Sequence, residues 1–263
     1  MPELPEVEWM RRCAAAAVGR PLVVVDLPCA RLGGLGGLGG LDAARGLPLQ
    51  AVDRRGKCLI LSLGPLRLLL APRMTGRLLV GGLGARHLRL RLGFGGEDDL
   101  LWLVFDDPRR LGTVELTSAD ALDLRCPPRP EPWPAPLSGA ALCAALGGGR
   151  GSLKTALMDP HRLGGVGNIG AAEGCWRAGL DPGRALASLG AEEWAALAEG
   201  LCAWAQAALD DIGAGPLILL HGGGDNPFCV YGREGGACRR CAGSISRRVD
   251  AGRPTYFCPG CQR

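Results

Sequence analysis

The sequence predicts an α+β protein with more than one domain, and three observations support this prediction. Apolar residues spaced three and four apart begin the chain, and short segments with two-residue alternation follow as far as residue 116. Helical spacing returns in the second half, and two CxxC pairs lie near residue 263. We therefore expect an N-terminal helix with a β-sandwich or barrel, then a helical region and a zinc-bound hairpin.

Length and composition limit the class of protein. The 263 residues suffice for one large or two modest domains, and 30 basic against 26 acidic residues give a net charge of +4, which permits a polyanionic partner. No apolar run reaches the roughly 18 residues of a membrane span, and the first eight residues do not resemble a secretory signal. We expect a cytoplasmic protein, because eight cysteines occur singly among apolar residues, as small buried side chains do: Cys13, Cys29, Cys58, Cys126, Cys143, Cys175, Cys202 and Cys229.

The first predicted element is a helix from Glu3 to Val18, which ends at Gly19. Pro5 suits its first turn, and the carboxylate of Glu6 suits the positive end of the helix dipole. On this interpretation the segment has only a structural role.

The same segment has the composition of a covalent catalyst. If Met1 is removed, Pro2 becomes a free secondary amine next to Glu3. A free α-amine titrates at about pH 8, so part of it is neutral at neutral pH, and such an amine attacks carbonyl-like carbons. The residues of this segment alone leave both interpretations open.

The middle of the chain predicts strands, a loop and a linker. The Gly-Gly-Leu repeat from Arg31 to Leu41 predicts a loop, since it lacks the strand, lysine and helix of a phosphate-binding loop. Six prolines between Cys126 and Pro136 predict a linker. Eight apolar segments bounded by Gly, Pro, Asp and Arg clusters predict strands: Leu22–Leu27, Leu47–Val52, Cys58–Leu63, Arg67–Leu70, Arg77–Val80, His87–Leu92, Leu100–Phe105 and Thr113–Leu116.

The second half predicts helices and a terminal hairpin. The hairpin is expected over Ser244–Phe257, between the cysteine pairs. We expect domains at 1–125, 138–230 and 231–263, with the linker at 126–137. The predicted helices are Ala140–Leu146, Ser152–Met158, Asn168–Ala178 and Ala191–Ile212.

The most specific pattern is formed by the four cysteines of the two pairs, which are Cys238, Cys241, Cys258 and Cys261. Two such knuckles supply four thiolates for one closed, structural Zn²⁺ site. Two redox-active pairs are the alternative, but neither pair begins a helix. Residues 231–263 carry seven arginines against two acidic side chains, a net +5 that indicates nucleic acid binding or a solvated face.

Two further features concern anion binding. The Gly165–Asn168 segment precedes a predicted helix, and with Asn168 as its N-cap the N–H groups would point outward to a phosphate; an ordinary helix junction is the alternative. Only two of the 30 basic residues are lysines, Lys57 and Lys154. In an arginine-rich chain they indicate either a need for a compact ammonium group or chance retention.

Seven motifs in order resemble the formamidopyrimidine-DNA glycosylase family, and the resemblance covers essentially the whole chain. It is closer to the Fpg branch than to the Nei branch because Leu4 follows Glu3. The motifs are Pro2 to Glu8, Arg55-Gly56-Lys57, Arg73-Met74-Thr75-Gly76, Asp107-Pro108-Arg109-Arg110, Gly165-Val166-Gly167-Asn168, Tyr231-Gly232-Arg233 and the four-cysteine finger.

The resemblance implies a fold, an activity and a set of site residues. The helical region would be a helix–two-turn–helix domain, and a monomer would act on damaged double-stranded DNA. Pro2 would attack C1′ of the damaged nucleotide, Glu3 would be the acid/base and Glu6 would support the site. Around the everted nucleotide, phosphates would be held by Lys57, which is also a candidate catalytic residue, and by Lys154, Asn168 and Arg253. The gap in the duplex would be filled by Met74 and Arg109.

Four features depart from the family pattern. Leu111 replaces a common phenylalanine, Ala71 a histidine and Gly170 a tyrosine, and the segment 213–230 is short and Gly-rich. All four concern lesion recognition. The expectation is a bifunctional glycosylase and AP lyase of base excision repair that acts by β,δ-elimination. The alternatives are a relative with altered lesion choice (oxidised pyrimidines, bulky adducts or crosslinks) and a catalytically silent reader of damaged DNA.

Overall fold

A computed structural model describes residues 1–28, 40–81, 85–96, 98–147, 151–213 and 226–263. Cys29, most of the Gly-Gly-Leu loop and most of the segment 213–230 lie outside the described residues. The chain forms two compact units, one of Met1–Pro2 and Glu6–Pro128, the other of Glu3–Pro5 and Arg129–Arg263. The division near residue 128 lies within the proline-rich stretch.

Helix α1 spans Leu4–Ala14, and its buried positions Val7, Met10 and Ala14 follow the expected spacing. The helix ends before the predicted Val18, because residues 15–17 tighten into a 3₁₀ turn. Gly19 then takes a left-handed conformation with φ of 87°. The structure therefore confirms the helix and shortens it.

The first unit contains two antiparallel four-stranded sheets, so the sandwich, rather than the barrel, is the observed architecture. The strands are β1 Leu22–Asp26, β2 Leu49–Arg55, β3 Cys58–Leu63, β4 Leu66–Ala71, β5 Arg77–Val80, β6 Leu88–Gly96, β7 Asp99–Asp106 and β8 Thr113–Ser118. Their orders in the two sheets are β1-β6-β7-β5 and β2-β3-β4-β8. A short helix, α2, spans Leu122–Arg125.

The largest error in a strand boundary concerns β6. Its prediction ended at Leu92, but the strand continues through three glycines, and Gly93 and Gly96 pair with Trp102 and Asp99 of β7. A β-carbon at Gly93 would lie 3.1 Å from the Trp102 ring. Pairing with a neighbouring strand therefore outweighs the low strand preference of glycine.

The second unit contains the remaining helices and the hairpin. Its elements are α3 Gly139–Leu146, α4 Leu153–Leu157, α5 Asn168–Ala178, α6 Ala191–Gly213, β9 Ser246–Asp250 and β10 Arg253–Phe257. Turns over residues 158–167 join α4 to α5, which is the expected helix–two-turn–helix arrangement. The Trp133 indole in the proline-rich stretch donates to Gln206 Oε1 of α6 at 3.0 Å. Among the described residues, none of the helices has the length and apolar content to cross a membrane.

The single cysteines are free thiols wherever the structure describes them. Burial raises the pKa of the thiols of Cys13, Cys175, Cys202 and Cys229. These side chains therefore remain neutral near pH 7, as small apolar side chains do.

Candidate active site

The Glu3 carboxylate is buried, with 1% exposure, and accepts three backbone hydrogen bonds. Its Oε2 atom accepts from the N–H groups of Gly167 and Gly170 at 2.8 and 2.9 Å, and Oε1 accepts from Ile169 at 2.9 Å. These donors are the free N–H groups at the start of α5, where the helix dipole favours a negative charge. The carboxylate is therefore fixed in position, one peptide bond from Pro2.

This arrangement corrects the prediction that Asn168 caps α5 and leaves its N–H groups directed at an external phosphate. The N-cap is Gly167, without a side-chain cap, and Asn168 is the first helical residue. An internal carboxylate, Glu3, takes the N–H groups. The Asn168 side chain instead donates through Nδ2 to Pro254 O at 3.2 Å, while its buried Oδ1 atom has no hydrogen-bond partner among the residues that the structure describes.

Gly170, one of the departures from the family pattern, has a packing reason. A β-carbon at this position would lie 2.5 Å from the Trp204 ring of α6. Gly170 also donates its N–H to Glu3, so its backbone must stay where it is. In this chain Trp204 occupies the space above α5, and no side chain fits at position 170.

Lys154 is buried, with 2% exposure, and its ammonium group contacts the hairpin. Nζ donates to Pro254 O at 2.8 Å and to Thr255 Oγ1 at 2.6 Å. Burial lowers the pKa of Lys154 to about 8, and the neighbouring Arg253 acts in the same direction. Because Asn168 binds the same Pro254 carbonyl, the structure brings Lys154, Asn168 and the Arg253 strand together, with Arg253 itself exposed.

The structure also describes the candidate residues of the first unit. Pro2 is buried, and its nitrogen is an amide as long as Met1 is present. Glu6 is half-buried in the first turn of α1, and Lys57 is half-buried in the β2–β3 turn. Met74 is exposed in the β4–β5 loop, and Arg109 is exposed in the β7–β8 loop.

Sequence reasoning did not identify Glu8 as an anchor for the Lys57 turn. Glu8 is 3% exposed and pairs with Arg11, Arg12 and Arg54 at 2.8, 3.0 and 3.4 Å. Burial alone would raise the pKa of Glu8, but hydrogen bonds from Arg11 and Arg12 outweigh it and lower the pKa. Arg54 also donates to Gly56 O at 2.8 Å, next to Lys57. The three- and four-residue spacing of Glu8, Arg11 and Arg12 was the available signal.

Glu173 was also missed. This residue of α5 is 1% exposed, and its carboxylate accepts from the N–H groups of Cys229, Val230 and Tyr231 at 2.8 to 2.9 Å. The partners are 56 to 58 residues away along the chain, so no local pattern indicates the contact. Glu173 fixes the Tyr231 motif to the same helix that holds Glu3.

The four knuckle cysteines hold one structural zinc ion. Their Sγ atoms all lie within 4.8 Å of one another, and Cys238–Cys261 and Cys241–Cys258 are 3.8 and 3.5 Å apart. A tetrahedron of thiolates with Zn–S bonds of about 2.3 Å has edges of about 3.8 Å, which fits these separations. The short distances join sulfurs of different knuckles, as expected for one metal site and not for two separate redox pairs.

Known proteins match this chain along its length. Residues 1–114 match the formamidopyrimidine-DNA glycosylase N-terminal domain, and residues 235–263 match a zinc finger found in FPG and IleRS. The formamidopyrimidine-DNA glycosylases of Heliobacterium modesticaldum and Aromatoleum aromaticum are each 36% identical to this chain, over 285 and 274 residues, with both chains fully covered.

Solved structures match the fold as well as the sequence. A complex between Lactococcus lactis Fpg and DNA containing an abasic site has a TM-score of 0.85 and 29% identity, covering 99% of both chains. A complex of the wild-type Lactococcus lactis enzyme with DNA containing an oxidised pyrimidine has a TM-score of 0.85 and 30% identity, covering 100% of both chains. Full-length identity above 30%, the matching fold and the four-cysteine site agree: the chain belongs to the formamidopyrimidine-DNA glycosylase family.

Proposed function

We propose that this chain excises damaged bases with Pro2 as the nucleophile and Glu3 as the acid/base. As a member of its family, the protein is a DNA glycosylase of base excision repair with AP lyase activity. Its related structures contain DNA with an abasic site or an oxidised pyrimidine. Damaged double-stranded DNA is therefore the partner that we propose for this chain.

The proposed chemistry starts after Met1 is removed. The Pro2 amine attacks C1′, the glycosidic bond breaks, and the base leaves with a proton. The Pro2 nitrogen loses its proton, the C1′–O4′ bond opens as O4′ takes a proton, and a covalent iminium forms. The iminium then loses a 2′ proton and the 3′ phosphate, and a second elimination releases the 5′ phosphate. Each step needs a group that moves protons close to the sugar.

The position of Glu3 is the observation that carries this proposal. A buried carboxylate beside the nucleophile, held by three N–H groups, keeps a fixed geometry without reorganisation during the reaction. If the segment only began a helix, Glu3 would not need these contacts, because the Glu6 carboxylate in the first turn of α1 already complements the helix dipole. The arrangement therefore supports a chemical role for Glu3.

We propose DNA contacts for the remaining site residues. Lys57 and the exposed Arg253 bind phosphates, and Asn168, which lies beside the Arg253 strand, donates its side-chain Nδ2 amide to a phosphate oxygen. Lys154 supports phosphate binding through the hairpin strand that begins at Arg253. Met74 and Arg109 fill the space that the everted nucleotide leaves.

Lesion choice is a separate part of the proposal. Leu111, two residues after Arg109, is an aliphatic side chain with 46% exposure, and it cannot stack on a base as an aromatic ring does. This observation favours an altered lesion range over strict specificity for one oxidised purine. A panel of duplexes with oxidised purines, oxidised pyrimidines, bulky adducts and crosslinks measures the range directly.

We further propose that the protein acts as a monomer in the cytoplasm. The free thiols fit a reducing compartment. Light scattering on the purified protein, with and without a lesion-bearing duplex, measures the stoichiometry. One chain per duplex supports the monomer, and a stable dimer contradicts it.

Borohydride trapping tests the mechanism. Protein whose mass lacks Met1 should form a covalent adduct with DNA containing a damaged base or an abasic site. Glu3→Gln should lower base excision by about 100-fold, since it removes an acid/base group, and should still be trapped on a preformed abasic site. The matched control is Glu192→Gln, on the exposed first turn of α6. Tight binding to lesions without a trapped adduct would identify a silent reader instead.

A further inference from the structure

The loops that carry Met74 and Arg109 are joined by a buried polar network in the first unit. The Thr75 hydroxyl donates to Asp107 Oδ1 at 2.5 Å, and Asp107 Oδ2 accepts from the Gly112 N–H at 2.7 Å. The Arg109 N–H donates to Thr75 Oγ1 at 3.3 Å. We name Thr75, Asp107 and Gly112 the Asp107 latch, because they connect the β4–β5 loop to the β7–β8 loop.

The latch is buried and balanced in charge. Thr75 is 8% exposed and Asp107 is 0% exposed. Arg89 of β6, itself 1% exposed, places its guanidinium 3.8 Å from Asp107 Oδ2. Removing a hydrogen-bond or charge partner of Asp107 leaves its buried carboxylate less compensated, which is costly. The groups around Asp107 therefore hold one another in position.

The packing around the latch leaves the two loops little freedom. A β-carbon at Gly76 would lie 2.8 Å from the Phe105 ring, and a β-carbon at Gly112 would lie 2.5 Å from the same ring. Gly76 of the β4–β5 loop and Gly112 of the β7–β8 loop therefore both pack against the Phe105 ring. In contrast, Met74 and Leu111 point outward, with 38% and 46% exposure.

Each loop also holds an arginine in a strained conformation. Arg73, directly before Met74, has φ of 57°, and Arg110, directly before Leu111, has φ of 56°. Left-handed backbone at a non-glycine residue persists only where the surrounding structure enforces it. The latch lies within two residues of both arginines on the chain and supplies contacts that can enforce it.

We infer that Thr75 and Asp107 are positioning residues that make the two loops one rigid wedge for base eversion. This inference rests on the proposed role of Met74 and Arg109 in filling the duplex. Inserting side chains between stacked bases costs a few kcal/mol of unstacking free energy. Two separate loops would be displaced by the stacked bases, whereas two joined loops keep their side chains inserted. The latch should therefore matter for duplex DNA and not for a substrate that is already single-stranded.

Thr75→Val tests the inference, because it keeps the shape of the side chain and removes the hydroxyl. We expect excision from a lesion-bearing duplex to fall by about tenfold, the effect of losing a hydrogen bond to a charged group, while cleavage of a single-stranded abasic oligonucleotide changes by less than about twofold. Thr75→Ser should restore duplex excision. Thr117→Val, on strand β8, is the matched control.

A second measurement does not depend on catalysis. Binding of wild-type protein to a duplex with a tetrahydrofuran site should raise the fluorescence of a neighbouring 2-aminopurine, which reports unstacking, and Thr75→Val should reduce this rise. Thr75→Ala serves if the valine variant does not fold, as judged by thermal melting.

The outcomes separate the two proposals. Equal effects of Thr75→Val on duplex and single-stranded substrates, together with an unchanged 2-aminopurine signal, would overturn the latch. Wild-type protein that neither excises nor traps would overturn the proposed activity, and the fluorescence comparison would still decide on the latch. If Met74→Ala and Arg109→Ala leave the fluorescence rise intact, these residues are not the wedge and the inference fails with them.

Discussion

Glu3 and Gly167 approach so closely that only a hydrogen atom fits between the glycine α-carbon and the carboxylate. Glu3 Oε2 accepts the Gly167 N–H at 2.8 Å, and a β-carbon at Gly167 would lie 2.4 Å from Oε1. Gly167→Ala should therefore displace the carboxylate. A displacement of about 1 Å can reduce catalysis by about 100-fold, and we expect this loss in single-turnover base excision.

The control for this variant is Gly151→Ala, because a β-carbon at Gly151 meets no atom of the described part of the chain within 4 Å. Both variants should bind one zinc ion and melt cooperatively. Wild-type rates in Gly167→Ala would show that the position of Glu3 is not critical for excision.

Arg253 and Arg240 should differ in their effect on DNA binding although both belong to the basic finger. Arg253 is exposed, and Arg253→Ala should reduce the slope of log K against log salt by about 1. Arg240 donates to the carbonyls of Trp176 and Arg177 at 2.7 Å and stacks on the Trp176 ring at 4.2 Å. Arg240→Ala should therefore lower the melting temperature with little change in the slope. Fluorescence anisotropy over a range of salt concentrations measures both slopes, and identical slopes for the two variants would contradict this assignment.

Lys154 should make stability depend on pH in the alkaline range. Its folded pKa of about 8 lies below the ordinary value of 10.5. Between these values the unfolded state binds more protons, so the free energy of unfolding rises with pH. Relative to Lys154→Met, which keeps the aliphatic stem, the wild type should gain about 2 kcal/mol between pH 7 and pH 9.5.

Urea unfolding of the two proteins at both pH values checks this prediction, since titrations common to both cancel in the difference. A constant difference in the free energy of unfolding would mean that Lys154 keeps its ordinary pKa. A difference that falls with pH would mean a raised pKa.

Removal of zinc should disable the finger and spare the rest of the chain. Cys258→Ser should lose the metal and reduce affinity for a lesion-bearing duplex by at least about tenfold, because binding of structural zinc is coupled to folding of its ligand segment. Cys202→Ser, which changes a single half-buried thiol on α6, should keep both zinc and affinity. Metal content and anisotropy on the same samples measure the two effects. If the zinc-free protein keeps full affinity, the zinc finger does not contribute to DNA binding.

The parts that the sequence predicts well are those specified by neighbouring residues. The bounds of β3, β5 and α5 agree with the prediction at both ends, because alternation, glycine breaks and helical spacing are local signals. The zinc ligands were also identified correctly, since two CxxC pairs fix the donor atoms without further information. The residues themselves indicate Pro2 as a possible nucleophile beside Glu3, and the family resemblance supplies the choice of that interpretation and the acid/base role of Glu3.

The parts that the sequence does not predict depend on contacts between distant residues. The two donors to Glu3 Oε2, Gly167 and Gly170, lie 164 and 167 positions away, and the sequence therefore wrongly predicts Asn168 as the cap of α5. Burial of Lys154 follows from its contact with Thr255, 101 positions away. The motif Asp107-Pro108-Arg109-Arg110 was recognised, but nothing local shows that its aspartate binds Thr75.

Helix α5 limits how this protein can be redesigned. Its first turn binds Glu3, its middle binds the Cys229–Tyr231 backbone through Glu173, and its last turn supports Arg240 through Trp176. A shift of this helix by one residue would turn it by about 100° and would disturb all three contacts together. Substitutions should therefore accumulate slowly on α5. Directed evolution of a new lesion preference has more scope at exposed positions such as Leu111, which can change without moving Glu3, the Tyr231 motif or the zinc finger.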